Sequence, residues 1–416
     1  MSVEVVNLLR QKILSNKDDY SAWILLGSLL LGQRNIAGLN ELLTYRHGLG
    51  MSAVELAWRI CWEDLTRDPA STAVDGVADA LDDTNAFSGA FLVGKGCAEL
   101  RRYRLDSGVA LVREGYRRLA VLRDLFPFEA LDVASWHHLT IVAFLFEKTG
   151  WASAVPLGEA DGPISVIAET PKGSHSLTCC AFAESTYFLR YAERFLATLR
   201  QNGVAGSRVM LGLINPSEEA RALGVALARA HACGIVAVPY GGEYLAEFAA
   251  SARFILAEEI IAAAAEPVIF LDIDAVFPQG ADRVLLAAAA QPLACIETAQ
   301  LPPHLQVDAS VVAAQPGPVA SRFFKDAKRY LLAKLREVGP LWTFDQVALH
   351  RAVALARDRG DLVASLNDVL GSPVLPRLFK ADHTMPFKQR SVRRSNAGLA
   401  CTGLDEELRP TWTQKG

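Results

Sequence analysis

Pro267-Val-Ile-Phe-Leu-Asp272-Ile-Asp274-Ala-Val-Phe277 is the stretch that decides the fold of the second part of this chain. Val268 to Leu271 are apolar and rich in strand-forming types, and two aspartates stand just past them. Such a run reads as a buried strand that delivers polar side chains to the C-terminal rim of an open α/β sheet, where these sheets place their ligands. Asp-x-Asp alone is common on surface loops. Directly after a strand, the two carboxylates reach different targets around one site, and oxygen donors of this kind suit a hard divalent cation.

Upstream of that strand, short β-rich runs alternate with helical ones. Residues 177–182, 208–214 and 234–239 read as strands, and 187–200, 218–231 and 245–264 as helices, with Asn215-Pro216 ending the second strand. This alternation predicts a mostly parallel sheet with crossover helices. From 1 to about 155 the apolar residues instead recur at three and four, the pattern of an all-helical region. Trp23-Ile-Leu-Leu-Gly27 has the Trp-x-x-Leu-Gly spacing of a tetratricopeptide first helix, with Leu30, Leu39 and Leu43 at positions where that repeat prefers Tyr, Ala and Phe. Residues 1–155 thus resemble a degenerate helical-repeat array, with a plain helical bundle as the alternative. A Gly-, Pro- and Ser-rich change of texture at 150–173, carrying the short β-type run Ile164-Ser-Val-Ile-Ala168, marks the boundary and starts the second domain at 163–416.

The 416 residues are 51% hydrophobic and 21% charged, which supplies core material for two folded domains. A formal charge of −4 provides no general attraction to nucleic acid or to an anionic membrane. The first residues lack the pattern of a signal peptide, and Arg253, Glu258 and Glu259 interrupt the longest apolar stretch, so neither export nor a transmembrane segment is expected. Seven cysteines without zinc spacing fit core thiols in a reducing, cytoplasmic compartment.

The order of these elements, together with Tyr187-Phe-Leu-Arg-Tyr-Ala-Glu-Arg-Phe-Leu-Ala-Thr-Leu199, Ser251-Ala-Arg-Phe-Ile-Leu256, Val268 to Asp274 and Trp342-Thr-Phe-Asp-Gln-Val-Ala-Leu349, resembles the GT-A superfamily of glycosyltransferases. The resemblance covers about the last 240 residues. It implies a Rossmann-like catalytic domain that moves a sugar from a nucleotide-diphosphate sugar to a protein or glycan acceptor, with Mn²⁺ or Mg²⁺ on the diphosphate. Asp274 would ligate the metal, and Asp272 would share it or contact the ribose. His383 would be the third protein ligand. Arg253, Glu184 and Lys388 would face the donor, Lys388 within a basic run that includes Arg390, Arg393 and Arg394. Asp345 and Gln346 would lie at the reacting sugar, Asp345 as the base if the reaction inverts the anomeric centre. Each has a plainer reading: an ion pair for Arg253, helix capping for Asp345, loop polarity for Glu184, a surface loop for His383 and a solvated tail for Lys388. Adjacent His137 and His138 point apart on a helix and are set aside as a metal site.

Two other functions fit parts of the sequence. Asp272-Ile-Asp274-Ala-Val276 also meets the nucleophile motif of haloacid-dehalogenase-type phosphatases, with Asp272 attacking phosphate and Asp358-Arg-Gly-Asp361 as the late acidic motif. Three strands precede the motif here, where that family has it on its first. A helical-repeat adaptor with an inactive transferase-like domain is the non-enzymatic alternative.

Overall fold

The structure, a computed structural model, describes residues 3–50, 53–68, 70–81, 87–121, 163–170, 173, 175–242, 245–299, 301, 303–337 and 344–371. These fall into two compact units. One holds the described residues up to Val121 and those of Ala299–His304; the other holds those from Pro163 to Thr298 and from Leu305 to Gly371.

The first unit is helical over α1 (Val3–Ser15), α2 (Tyr20–Gly32), α3 (Ile36–Gly48), α4 (Ala53–Arg67), α5 (Ala73–Ala80), α6 (Ser88–Arg101) and α7 (Leu105–Val121). Asp19 and Asn35 cap α2 and α3 by accepting hydrogen bonds from the backbone N–H groups of Ala22 and Gly38. Trp23 is fully buried and stacks on Tyr45 of α3 at 5.9 Å. Gly27 allows a close approach of α2 to α4, because a Cβ there would lie 2.1 Å from Cδ1 of Ile60. Helix lengths range from 8 residues in α5 to 17 in α7, so no constant repeat unit runs through these helices.

The second unit is built on an eight-stranded sheet. Its strands are β1 (Ser165–Ala168), β2 (Thr178–Glu184), β3 (Arg208–Ile214), β4 (Gly234–Val238), β5 (Val268–Leu271), β6 (Leu293–Glu297), β7 (Val307–Ala314) and β8 (Ala364–Ser365), in the order β1-β4-β3-β2-β5-β7-β6-β8. All run the same way except β1 and β7, which pair antiparallel with their neighbours. The helices are α8 (Ser185–Asn202), α9 (Glu218–His231), α10 (Leu245–Ile255), α11 (Ala257–Ala263), α12 (Ala281–Ala289), α13 (Pro318–Glu337), α14 (Phe344–Asp358) and α15 (Leu366–Leu370).

Strand alternation divides these helices between two faces. Ile269, Leu271 and Val311 point into one core with Leu211, Leu213 and the α8 residues Phe188 and Phe195. Phe270 points the other way, between Phe254 of α10 at 6.2 Å and Phe324 of α13 at 5.1 Å. The expected single helix over 245–264 is broken at Leu256, whose backbone (φ −96°, ψ 2°) leaves helical geometry. No Gly or Pro marks the break, and both α10 and α11 pack against α13. The six cysteines among the described residues are buried free thiols. No helix among those residues is long and apolar enough to cross a membrane.

Candidate active site at the tip of the fifth strand

β5 lies between β2 and β7, so the chain leaving its C-terminal end emerges at the middle of the sheet rim. Asp272 continues the pairing by one bond, its N–H donating to the Ser310 carbonyl at 3.3 Å. The Ala275 N–H then donates back to the Asp272 carbonyl at 3.1 Å, closing a turn over the two aspartates. Ile273, between them, is buried in the core. Phe277 anchors the segment beyond: its N–H donates to Thr198 Oγ1 at 3.3 Å, its carbonyl accepts from Asn202 Nδ2 at 2.8 Å, and its ring meets Phe195 edge-on at 5.4 Å. The turn carrying Asp272 and Asp274 is therefore held at both ends.

Arg253, in the last turn of α10, is only 3% exposed. Its Nη2 lies 2.6 Å from Asp272 Oδ1, donates to the Ala309 carbonyl at 3.1 Å, and stands 3.7 Å from Asp345 Oδ2. The guanidinium sits 4.6 Å from the centroid of the Phe254 ring. Three elements thus meet on one cation: the tip of β5, the start of β7 and the N-terminus of α14. The structure realises the ion-pair reading of Arg253.

Asp345 is in the first turn of α14, where its Oδ1 accepts from the Gln346 N–H at 2.8 Å. Burial pushes its pKa up to about 6, reinforced by the neighbouring charges of Asp272 and Asp308 and opposed by Arg253 and the Gln346 hydrogen bond. Desolvation outweighs the cation. The Gln346 side-chain Oε1 is buried without a hydrogen-bond partner in the protein.

Asp274 is 7% exposed. Its charge is felt by Tyr187, whose pKa is raised first by burial and then by Asp274, Tyr191, Asp272 and Glu184. Glu184 is nevertheless committed locally: its two carboxylate oxygens accept from the N–H groups of Thr186 at 2.7 Å and Tyr187 at 2.8 Å, capping α8. Beside it, Ser185 and Asn215 tie the loops after β2, β3 and β4 together. The Ser217 N–H donates to Ser185 Oγ at 2.9 Å, and the Tyr240 N–H to Asn215 Oδ1 at 2.8 Å.

Asp272, Asp274, Asp345, Gln346 and Arg253 are thus brought to one rim, with Glu184 at its border. His383, Lys388, Arg390, Arg393 and Arg394 lie outside the described residues, as do His137, His138 and Trp342. Two residues join the site that the sequence reading passed over, Tyr187 and Asp308. Asp308 is 6% exposed, and its Oδ1 accepts from the Ser310 N–H at 2.7 Å. The alternation of polar Gln306, Asp308 and Ser310 with Val307, Ala309 and Val311 was the available signal. Asp361, which matched a phosphatase motif, pairs instead with Arg322 at 2.5 Å and Arg359 at 3.1 Å.

Among the described residues no group of three His, Cys, Asp or Glu side chains is arranged to hold a metal ion. The donor chemistry of Asp272 and Asp274 still fits a hard cation: both are carboxylates at one strand tip, and their combined charge reaches the Tyr187 phenol.

No protein-family model matches the chain, and no curated protein matches it in sequence. Among solved structures it is similar to the apo-form glycosyltransferase GlyE of Streptococcus pneumoniae TIGR4, at 14% identity and a TM-score of 0.33 over 47% of this chain and 46% of that one. It is also similar to the apo structure of WbbM, a bifunctional glycosyltransferase, at 14% identity and a TM-score of 0.36 over 56% of this chain and 46% of that one. The chain therefore spans under half the length of either neighbour. At this level of likeness neither protein decides the chemistry of the site.

Proposed function

We propose that residues 163–416 are a glycosyltransferase of the GT-A type that uses a nucleotide-diphosphate sugar and a divalent cation. The observation that carries this reading is the gathering of Asp272, Asp274 and Asp345 at the C-terminal rim of a mostly parallel sheet, where open α/β sheets receive ligands. Asp272 and Asp274 would hold Mn²⁺ or Mg²⁺, with His383 the proposed third ligand. The cation, when bound, would neutralise charge developing on the departing diphosphate. Asp345 acts on the acceptor or the sugar. With a pKa near 6 it is ionised at neutral pH yet retains more proton affinity than an ordinary aspartate, the balance a general base needs. The partnerless Gln346 Oε1 supplies an acceptor for a sugar hydroxyl, which would satisfy a buried polar atom that the protein leaves open. Lys388 is proposed to face the diphosphate. Residues before about 155 are proposed to recruit a protein or glycan acceptor, raising its local concentration at the site.

The test is a thermal-shift and hydrolysis screen of the full chain against UDP- and GDP-sugars with and without Mn²⁺. Stabilisation by UDP or GDP only with Mn²⁺, together with release of nucleotide from one donor, supports the transferase. Hydrolysis of simple phosphate esters would point to Asp272 as a nucleophile. Silence in both assays would leave the helical-repeat adaptor.

A further inference from the structure

We infer that Arg253 is a positioning residue that locks Asp272 and Asp345 into one arrangement and touches neither donor nor acceptor. This deepens the transferase reading and rests on it.

The argument is geometric. Asp272 follows β5 and Asp345 opens α14, so no bond in the chain fixes one carboxylate relative to the other. The Arg253 guanidinium does, through Nη2 contacts of 2.6 Å to Asp272, 3.1 Å to the Ala309 carbonyl and 3.7 Å to Asp345. The guanidinium is itself fixed by burial and by the Phe254 ring 4.6 Å away. At 3% exposure it presents almost no surface to a ligand, whereas Asp272 is 28% exposed and Asp345 16% exposed in their side chains. The carboxylates are partly exposed and the cation beside them is buried. Since misplacing a reacting group by about 1 Å costs about 10²-fold in rate, loss of the cation should show in turnover rather than in donor binding.

The experiment uses the full chain carrying Arg253→Met, Arg253→Lys, Asp345→Asn, or Arg253→Met with Asp345→Asn. It has two readouts: the melting temperature without nucleotide, and Mn²⁺-dependent nucleotide release from the sugar donor that the unmodified chain hydrolyses. Arg253→Met should lower kcat by about 10²-fold while KM for the donor stays within about threefold. Arg253→Lys, which returns a cation to the same place, should recover part of the lost kcat. The double variant should turn over more slowly than Asp345→Asn alone, through Asp272, but by less than the factor that Arg253→Met costs the unmodified chain. Asp345→Asn should raise the melting temperature of the Arg253→Met protein by more than it raises that of the unmodified chain, since the carboxylate it removes has lost its cation. A raised KM with kcat intact would make Arg253 a donor contact and overturn the inference. Additive melting shifts would overturn it whatever the kinetics show. If the unmodified chain hydrolyses no donor, the transferase reading fails and the inference fails with it, a result the melting shifts keep distinct from absence of the ion pair. Where Arg253→Met does not fold, Arg253→Lys decides, because a donor contact predicts a KM change and a positioning role a kcat change.

Discussion

Neutralising Asp345 should stabilise the α/β unit at alkaline pH while lowering the turnover proposed for it. The magnitude follows from the proton affinity of the buried carboxyl. Its pKa stands at about 6 against an ordinary 3.8, a displacement that corresponds to roughly 3 kcal/mol. The sign follows from proton counting. Between pH 3.8 and about 6 the folded protein holds a proton that the unfolded chain has released, so stability falls as pH rises through that window. Below the window the group contributes no penalty; above it the full penalty applies. Asp345→Asn keeps the shape and an oxygen for the Gln346 N–H, and Arg253 retains Asp272 at 2.6 Å. The variant should therefore gain about 2–3 kcal/mol at pH 8 and close to nothing at pH 4. The assay is amide hydrogen exchange in Val268–Leu271 of the metal-free protein, which reports on this unit separately from the helical one. Exchange in the variant should be about 10²-fold slower than in the unmodified chain at pH 8, with the ratio approaching one at pH 4. An equal ratio at both pH values, or faster exchange at pH 8, would show that the Asp345 charge carries no such penalty.

Asp274→Ala should lower donor turnover by about 10²-fold or more with the circular dichroism spectrum unchanged, the scale expected for losing a group that manages transition-state charge. Retention of near-normal Mn²⁺-dependent turnover would remove Asp274 from the mechanism. The pH profile of kcat should fall on the acid side as Asp345 takes up its proton, at a pH below about 6 because bound Mn²⁺ favours the carboxylate; the residual turnover of Asp345→Asn should lack that limb. Gly96→Ala should destabilise the helical unit, measured as faster exchange in α6. The new Cβ would meet Val112 Cγ2 at 2.6 Å and the Gly108 carbonyl at 2.9 Å, and overpacking of about 1–3 kcal/mol exceeds the helix-propensity gain of about 1 kcal/mol. Asp361→Asn should leave turnover of any substrate unchanged, and a loss comparable to that of Asp274→Ala would revive the phosphatase assignment.

Legibility in the sequence tracked how local each feature is. Cys179-Cys-Ala-Phe182 and Val268 to Leu271 announce strands because full burial requires unbroken apolar runs. Trp23 and Gly27 announce a helix contact because one fills a gap and the other opens it. The insertion of antiparallel β7 between β5 and β6 depends on pairing between segments far apart in the chain, and Asp308 and Ser310 interrupt its apolar run. The break at Leu256 likewise has no Gly or Pro to announce it. At the site, the place of Asp272 and Asp274 directly after a strand was legible, while Asp345 was expected near them only through the family resemblance. The partner of Arg253 was not, since a helical arginine shows its charge in the sequence and its direction only in the packed molecule.

Two carboxylates of this unit carry opposite pKa shifts, and the closeness of their arginine partners, rather than exposure, separates them. Asp361 receives hydrogen bonds from Arg322 and Arg359, and these hold its pKa below the ordinary range, Arg322 contributing most. Asp345 also has an arginine beside it, yet its pKa is raised. The Arg253 cation is 3.7 Å away, makes its shorter contact with Asp272, and is outweighed by desolvation and by the charges of Asp272 and Asp308. Evolution toward stability alone would replace Asp345 with a neutral residue of the same shape, because an incompletely compensated buried charge is destabilising. A carboxylate in that environment, at the sheet rim and beside a buried acceptor atom with no partner in the protein, is what the proposed transfer site would need.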